Sequence, residues 1–506
     1  MNKFKQLASE TAIYGLSSII GKAINFILVP FYTSTAILRI EEYGIVTELY
    51  SYVAVLNVLY LYGMETAYFR FTSKPGHGEK EIYSSVFSSV LITTVVLTLL
   101  LITSATPIIN WLEFAGHERF VYWFAAIIAI DSVMAIPFVK LRYERKAKEF
   151  ATYKLINIFL NLGLNLFFLY FCKNIWNGAF LPEWKGAISY VYNPQYNVEY
   201  VFISNLIANA CYLFLLFGVI RKARFVINFQ LLSPMLVYAF PLLLSQLAGN
   251  FNEMFSRMML KKILPDGFYI GYNNQEALGI FGACYKISMI MTLAIQAFRY
   301  AAEPFFFRES QETDSKETYS NVFLYFGIFG LFSVLAISLN LEIIKLIFLK
   351  DEAYWSALHI VPMLLLASLF LGLYYNLSIW FKIKDKTYFG TMISVSAAFI
   401  TIAMNYLLIP YFGYEGSAAT TLFVYLYMCL FAYFTGRKHY RIAYDVKRFG
   451  YYLILMLVLL FFGWDLTYHS ELVSQLLREV PILVFIAIVF AFERKKLKMN
   501  KNQFPL

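Results

Sequence analysis

Thr11, Tyr14, Ser18, Lys22 and Asn25 recur at steps of three or four residues, a spacing that puts all five on one face of an α-helix. Three further stretches repeat the device: Lys154, Asn157, Asn161 and Asn165; Gln246, Asn250, Glu253 and Arg257; and Lys286 followed by Gln296, Arg299 and Glu303. Each stripe runs through an apolar segment, where a charge costs about 2.5–3.5 kcal/mol on insertion scales and so turns toward a bundle interior or a wet cavity. The chemistry expected is recognition of an anion. Lys22, Arg257, Lys286 and Arg299, with Lys154, Asn25, Asn161 and Asn250 beside them, make a net-positive lining suited to a group such as phosphate. Amides also glue helices together, at about 0.6 kcal/mol a bond, so lining and packing are both open to the asparagines. Glu253 and Arg257, like Arg299 and Glu303, stand four apart and can pair along the helix. Glu253 and Glu303 then either neutralise those neighbours or bind a coupling ion. Asp131 and Glu65 are lone acids that could take up a proton, although Glu65 stands near a span end, where water is close.

Signatures of covalent chemistry are missing from the chain. It has no GxxxxGK[ST] loop for ATP, no HExxH and no GxSxG. The five histidines, His77, His117, His359, His439 and His469, are scattered near loops and span ends. Of the four cysteines, Cys211, Cys284 and Cys429 lie inside apolar runs and Cys172 borders one, with neither a CxxC pair nor metal spacing. No enzyme activity, cofactor or metal is expected.

The elements that must position these stripes follow from composition. Hydrophobic residues make up 60% of the 506 and charged residues 15%, against roughly 45–50% apolar in a soluble domain, which is too much to hide in one aqueous core. The expected fold is an all-α integral membrane protein of about fourteen transmembrane helices. The apolar runs lie near 9–35, 43–69, 81–107, 119–139, 150–171, 200–222, 233–260, 279–307, 318–340, 355–381, 387–410, 416–436, 449–467 and 474–492, each long enough for a hydrocarbon layer about 30 Å thick. Lys3 and Lys5 precede a first run without a small-residue cleavage site, so it reads as a retained helix. About 28 of the 42 Lys and Arg fall in alternate loops and the two ends, which makes that side cytoplasmic and both termini cytoplasmic. The same clustering argues against nucleic acid as the partner of the +10 net charge. Trp111, Trp123, Trp355, Trp380 and Trp464 fall near span ends, where headgroup contact is expected. Pro30, Pro137, Pro241, Pro304 and Pro362 are positions where helices can bend or hinge.

A weak internal repeat relates the first two spans to the seventh and eighth. Tyr14 before Asn25-Phe26 resembles Tyr238 before Asn250-Phe251, Gly44-Ile45 with Tyr50 resembles Gly279-Ile280 with Tyr285, and Glu65 precedes Arg70 as Glu303 precedes Arg308. Asn165-Leu166 and Asn405-Tyr406 add a further match. Two six-helix lobes in the same orientation are expected, 1–232 and 233–448, pseudo-symmetric about an axis along the membrane normal, with two C-terminal helices and a basic tail over 449–506.

With these features in place, the sequence resembles Wzx-type polysaccharide repeat-unit flippases of the superfamily that also holds multidrug exporters and MurJ-like lipid flippases. The resemblance spans nearly the whole chain. It rests on Glu10-Thr11 to Pro30 with its interior lysine, Glu42-Tyr43-Gly44, the basic Leu141 to Phe150 loop, Pro241, Leu278-Gly279-Ile280 to Lys286, and Gly413 to Ala419. It implies two lobes around a cationic cavity that opens alternately to each side of a bacterial inner membrane. The implied substrate is an undecaprenyl-diphosphate-linked oligosaccharide, moved to the periplasmic leaflet for O-antigen, capsule or exopolysaccharide, with a polymerase and chain-length machinery as possible partners. It also places Lys22 and Lys286 among the basic cavity residues and makes a proton or sodium gradient the energy source. A drug or cation antiporter of the same superfamily is the nearest alternative and would favour an acidic cavity. A membrane polysaccharide polymerase or ligase is the second, and would need catalytic groups on larger outside loops.

Overall fold

In the computed structural model of the chain, residues 26, 28–72, 78–309, 315–384, 386–464, 466 and 471–503 are described. Every regular element among them is helical, as a chain bathed in hydrocarbon requires, since a helix satisfies its own backbone polar groups. Among the described residues, eleven stretches are long and apolar enough to cross a membrane. The principal helices are α1 Ile40–Leu61, α2 Met64–Thr72, α3 Glu79–Thr103, α4 Arg119–Tyr143, α5 Ala147–Leu166, α6 Glu199–Leu215, α7 Phe229–Ile263, α8 Asn274–Glu309, α9 Ser315–Leu339, α10 Val361–Leu377, α11 Tyr388–His439, α12 Val446–Trp464 and α13 Glu471–Gln503. Large apolar side chains such as Val96, Leu99, Phe214 and Phe461 stay exposed on their outer faces. In water they would be an aggregation hazard; in lipid they are the solvent-facing surface.

The structure departs from the expected spans at two places and keeps two others, 387–410 and 416–436, as the halves of one bent element. The 43–69 span breaks at Tyr62 and Gly63, both at positive φ, so Glu65 sits in the first turn of α2. α6 is a shorter apolar helix than expected over 200–222. α11 has 52 residues, about 78 Å at ~1.5 Å each, far beyond one crossing. It is two helices joined at Gly413, whose φ of 53° and ψ of −130° are open to glycine and strained for other residues. Pro410 lies three residues earlier, and the backbone at Gly416 folds back against Leu408. Of the first expected span, 9–35, residues 9–25 and 27 lie outside the described residues.

The chain forms two compact units, Met1–Gly282 with Ser394–Tyr406, and Ala283–Ile393 with Leu407–Leu506. Two apolar cores organise the first. One gathers Phe120, Phe124, Phe168, Tyr200 and Phe202; the other Met64, Tyr68, Tyr83, Phe138, Tyr212 and Met235. Within this unit α3 packs on α4, α5 on α6, and α7 on α1. In the second unit α9 packs against α10 and α12.

Two cavities of the first unit gather different connections: Lys80, Lys140, Arg221, Lys222 and Arg224 line one, while Arg39, Glu113, Gln195 and Asn273 line another. Two expectations are corrected. Trp380 is almost fully buried, its indole stacked on His439, so it is a core residue and not a headgroup anchor. Pro362 occupies the first turn of α10, where its missing N–H breaks no helical bond and no hinge results.

Gly44 and Gly279, matched by the internal repeat, lie against each other where α1 meets the start of α8. A Cβ on Gly279 would stand 2.6 Å from the Ile40 carbonyl oxygen and 3.0 Å from the Gly44 nitrogen. Small residues permit such backbone approach between membrane helices. Gly279→Ala should therefore destabilise the protein by about 1–3 kcal/mol. Gly163→Ala, whose Cβ would meet nothing, should not. Monodisperse yield after heating, measured by gel filtration, separates the two.

Candidate functional site

The α5 stripe shows how the polar residues are used. Asn165, fully buried, accepts from the Tyr32 hydroxyl at 2.7 Å and donates to the Asn161 carbonyl and side-chain oxygens at 2.8 and 3.0 Å. Asn157 donates to Asn209 of α6 at 2.9 Å. These amides tie helices together. Lys154 lies over the Phe138 and Tyr212 rings, at 4.2 and 5.0 Å. It is within electrostatic reach of both Asp131 and Glu65, and Asn209 hydrogen-bonds Asp131. The two lone acids thus lie in the field of the same lysine, and Glu65 in that of Arg142 as well. The sequence spacing could not show this, because the partners come from α2, α4 and α5 and periodicity reports neighbours on one helix alone. The cluster can exchange a proton on a carboxylate against the fixed charge of Lys154.

α7 carries the next stripe. Arg257 is buried, with one guanidinium nitrogen 3.4 Å from the Met254 sulfur, whereas Asn250 donates to the Gln246 carbonyl at 3.2 Å on a more exposed turn. One face of this helix locks onto residues 394–405. Asn252 donates to the Ser394 carbonyl at 3.3 Å and accepts from Thr401 at 3.2 Å, and Asn405 donates to Ser256 at 2.9 Å. In the second unit, Lys286 is partly buried. Arg299 stacks 3.8 Å from the Tyr375 ring centroid and lines a cavity of about 200 Å³ with Phe298, Phe306, Tyr374 and Asn376. A guanidinium held against an aromatic face in a hollow keeps its outer N–H groups for an anion. Lys22 and Asn25 lie outside the described residues, as do the side chains of Glu253 and Glu303.

Sequence reasoning passed over a charge pair in the first unit. Glu48 in mid α1 and Lys261 near the end of α7 are both buried and 3.1 Å apart. Lys261 also donates to the Leu112 carbonyl at 2.7 Å, and Glu113 stands 3.7 Å away. The signal was an acid in an apolar run. Lys261 and Glu113 border a cavity of about 550 Å³ lined by Arg39, Glu42, His117, Glu199 and Gln275 among others. Beside it, Lys262 donates to Glu113 at 2.7 Å, and this bond with the nearby Lys261 holds the Glu113 carboxyl below its ordinary value. A depressed carboxylate contributes stability that is complete above the ordinary glutamate pKa of about 4.3 and is lost as pH falls through the lower folded value. Glu113 is largely exposed, so the term is under about 1 kcal/mol. Glu113→Gln should accordingly lower thermal stability slightly at neutral pH and reduce its fall below about pH 4, as read by melting curves across pH.

A family model described as polysaccharide biosynthesis protein matches residues 7–310. No curated protein sequence matches the chain. Among solved structures, the chain is similar to the lipid II flippase MurJ in an inward closed conformation, at 14% identity and a TM-score of 0.68, covering 94% of this chain and 98% of that one. It is also similar to an inward-facing multidrug resistance MATE family transporter of the MOP superfamily, at 13% identity and a TM-score of 0.58, covering 85% and 94%. The Vibrio cholerae MATE transporter VcmN in its bent form gives 14% and 0.53, covering 86% and 96%. At such identities the likeness establishes the fold.

Proposed function

Because the chain belongs to the polysaccharide biosynthesis protein family, we propose that it is a flippase carrying undecaprenyl-diphosphate-linked oligosaccharide from the cytoplasmic to the periplasmic leaflet of a bacterial inner membrane. The observation that carries this reading is the placement of bases inside apolar helices: Arg257 is buried, and Arg299 lies on an aromatic ring at the edge of a hollow. Charges turned away from lipid are retained for an ionic partner or a wet path. Lys22, Lys286, Arg257 and Arg299 are the candidates to hold the diphosphate, while the sugar crosses in water and the prenyl tail stays in lipid. Unaided, the sugar hydroxyls would be stranded in hydrocarbon at a cost of several kcal/mol each. Rocking of the lobes then presents the site outward.

An ion gradient drives the cycle in this reading, with the Asp131, Glu65 and Lys154 cluster as the proton site. Asp131→Asn should cut flipping at least about tenfold, as loss of one proton-transfer group does at the low end, and remove its dependence on an imposed pH gradient. Asp131→Glu should retain that dependence. The assay is leaflet exchange of a lipid-linked donor in vesicles holding the purified protein; unchanged gradient dependence in Asp131→Asn would exclude this cluster. Absence of any exchange by the wild-type protein, under either a proton or a sodium gradient, would overturn the flippase reading.

A further inference from the structure

A second basic hollow lies apart from the stripes, at the end of the first unit where its basic loops gather. It has a volume of about 490 Å³ and is lined by Lys80, Lys140, Arg221, Lys222 and Arg224 against two carboxylates, Glu79 and Glu144, with Tyr83 at its floor. The acids are already engaged. Lys140, almost buried and 4.8 Å over the Tyr83 ring, pairs with Glu79 and with Glu144 at 3.1 Å. Glu144 is shared further with Lys146 at 2.8 Å and Lys222 at 3.9 Å. Lys80, Arg221 and Arg224 have no carboxylate partner among the described residues, so the hollow keeps an excess of positive charge.

Its rim is built, not loose. The Arg224 N–H donates to Ser84 at 3.0 Å and the Val226 N–H to Ser88 at 3.1 Å, both serines being buried on α3. Asn228 caps α7 by accepting from the Gln230 N–H at 3.0 Å, and donates to Glu81 at 2.8 Å. Held in this way, the connection turns Phe225, Val226, Ile227 and Phe229 outward, with Phe225 69% and Phe229 78% exposed. Arginines in a hollow beside aromatic and aliphatic side chains that face out at a helix end match a membrane interface, where charge meets the headgroup and rings meet the acyl chains. Basic pockets between membrane helices have this recognition chemistry.

We propose that this hollow binds the phosphodiester headgroup of an anionic phospholipid, contacted by Lys80, Arg221 and Arg224, with its acyl chains lying over Phe225 and Phe229. The lipid pins the α6–α7 connection to the leaflet on the basic side. A free phosphate would need the arginines but not the apolar rim. The lipid needs both.

The test is native mass spectrometry of the full chain in detergent, titrated separately with dioleoyl phosphatidylglycerol and dioleoyl phosphatidylcholine. Phosphatidylglycerol should be retained in preference, and R221Q/R224Q should weaken its binding about thirtyfold, as two lost interfacial charges do. F225S/F229S should weaken it as well, while millimolar inorganic phosphate should leave it in place. Equal retention of the two lipids, or an unaltered preference in R221Q/R224Q, would overturn the site. Displacement by inorganic phosphate would overturn the lipid as its source. Should R221Q/R224Q not fold, K80Q at the exposed rim must lower the preference severalfold, and no change there counts against the proposal.

Discussion

Cells carrying K22Q/K286Q should make no surface polysaccharide while keeping a normal amount of the protein. On the proposed reading, each lysine would supply a charge-assisted contact of about 1.5–3 kcal/mol to the diphosphate. Losing both weakens binding by about 3 kcal/mol or more, over a hundredfold. Lipid-linked oligosaccharide should then accumulate facing the cytoplasm, which a leaflet-sidedness assay reads directly. K22R/K286R should restore part of the export, because charge is kept while the geometry of the contact changes. Full polysaccharide in K22Q/K286Q, with immunoblots confirming equal protein, would refute the assignment. Accumulation on the periplasmic side would place the defect after flipping and refute it equally.

Breaking the Glu48–Lys261 pair should be the most damaging single change to stability. Both side chains are nearly inaccessible, and removing one partner of a buried pair costs about 3–5 kcal/mol, because the other charge is left unanswered. Lys261→Met strands the Glu48 carboxylate in this way. Glu48→Gln is milder, since Lys261 keeps the Leu112 carbonyl and the nearby Glu113. Replacing both by methionine removes charge from both sides and should recover most of the loss. Denaturant titration of the purified protein, run as a double-mutant cycle, measures the coupling. Single substitutions that cost under about 1 kcal/mol would mean that the pair is exchanging with water. The pair joins α1 to the end of α7 and to the turn at Leu112, so any movement parting these helices must first separate two charges.

Burial in the membrane follows from chain composition. A run of about 20 apolar residues has nowhere to go but lipid, and once committed it must be helical. Consequently most spans could be read from residue order. The break at Tyr62-Gly63 could not: a Cβ on Gly63 would stand 2.9 Å from the Ala239 carbonyl oxygen, and that approach is a tertiary event. The fold of α11 at Gly413 was legible as two apolar runs with a Pro and two glycines between them.

The polar residues divide along the same line. Helical periodicity put Arg257 and Arg299 on polar stripes; in the structure Arg257 is buried and Arg299 lies on the Tyr375 ring. Which neighbour answers each charge was decided by helices far apart in the chain. Lys154, expected to line the cationic cavity, lies within electrostatic reach of Asp131 and Glu65. Asn161 and Asn165 bond each other, and Glu48 with Lys261 joins residues 213 positions apart. Desolvation makes a buried charge seek a partner, and it operates along one helix at a time, so it is written in the spacing of a single stretch. The choice of partner depends on distances of a few ångströms between separate stretches, and packing of the folded chain sets those.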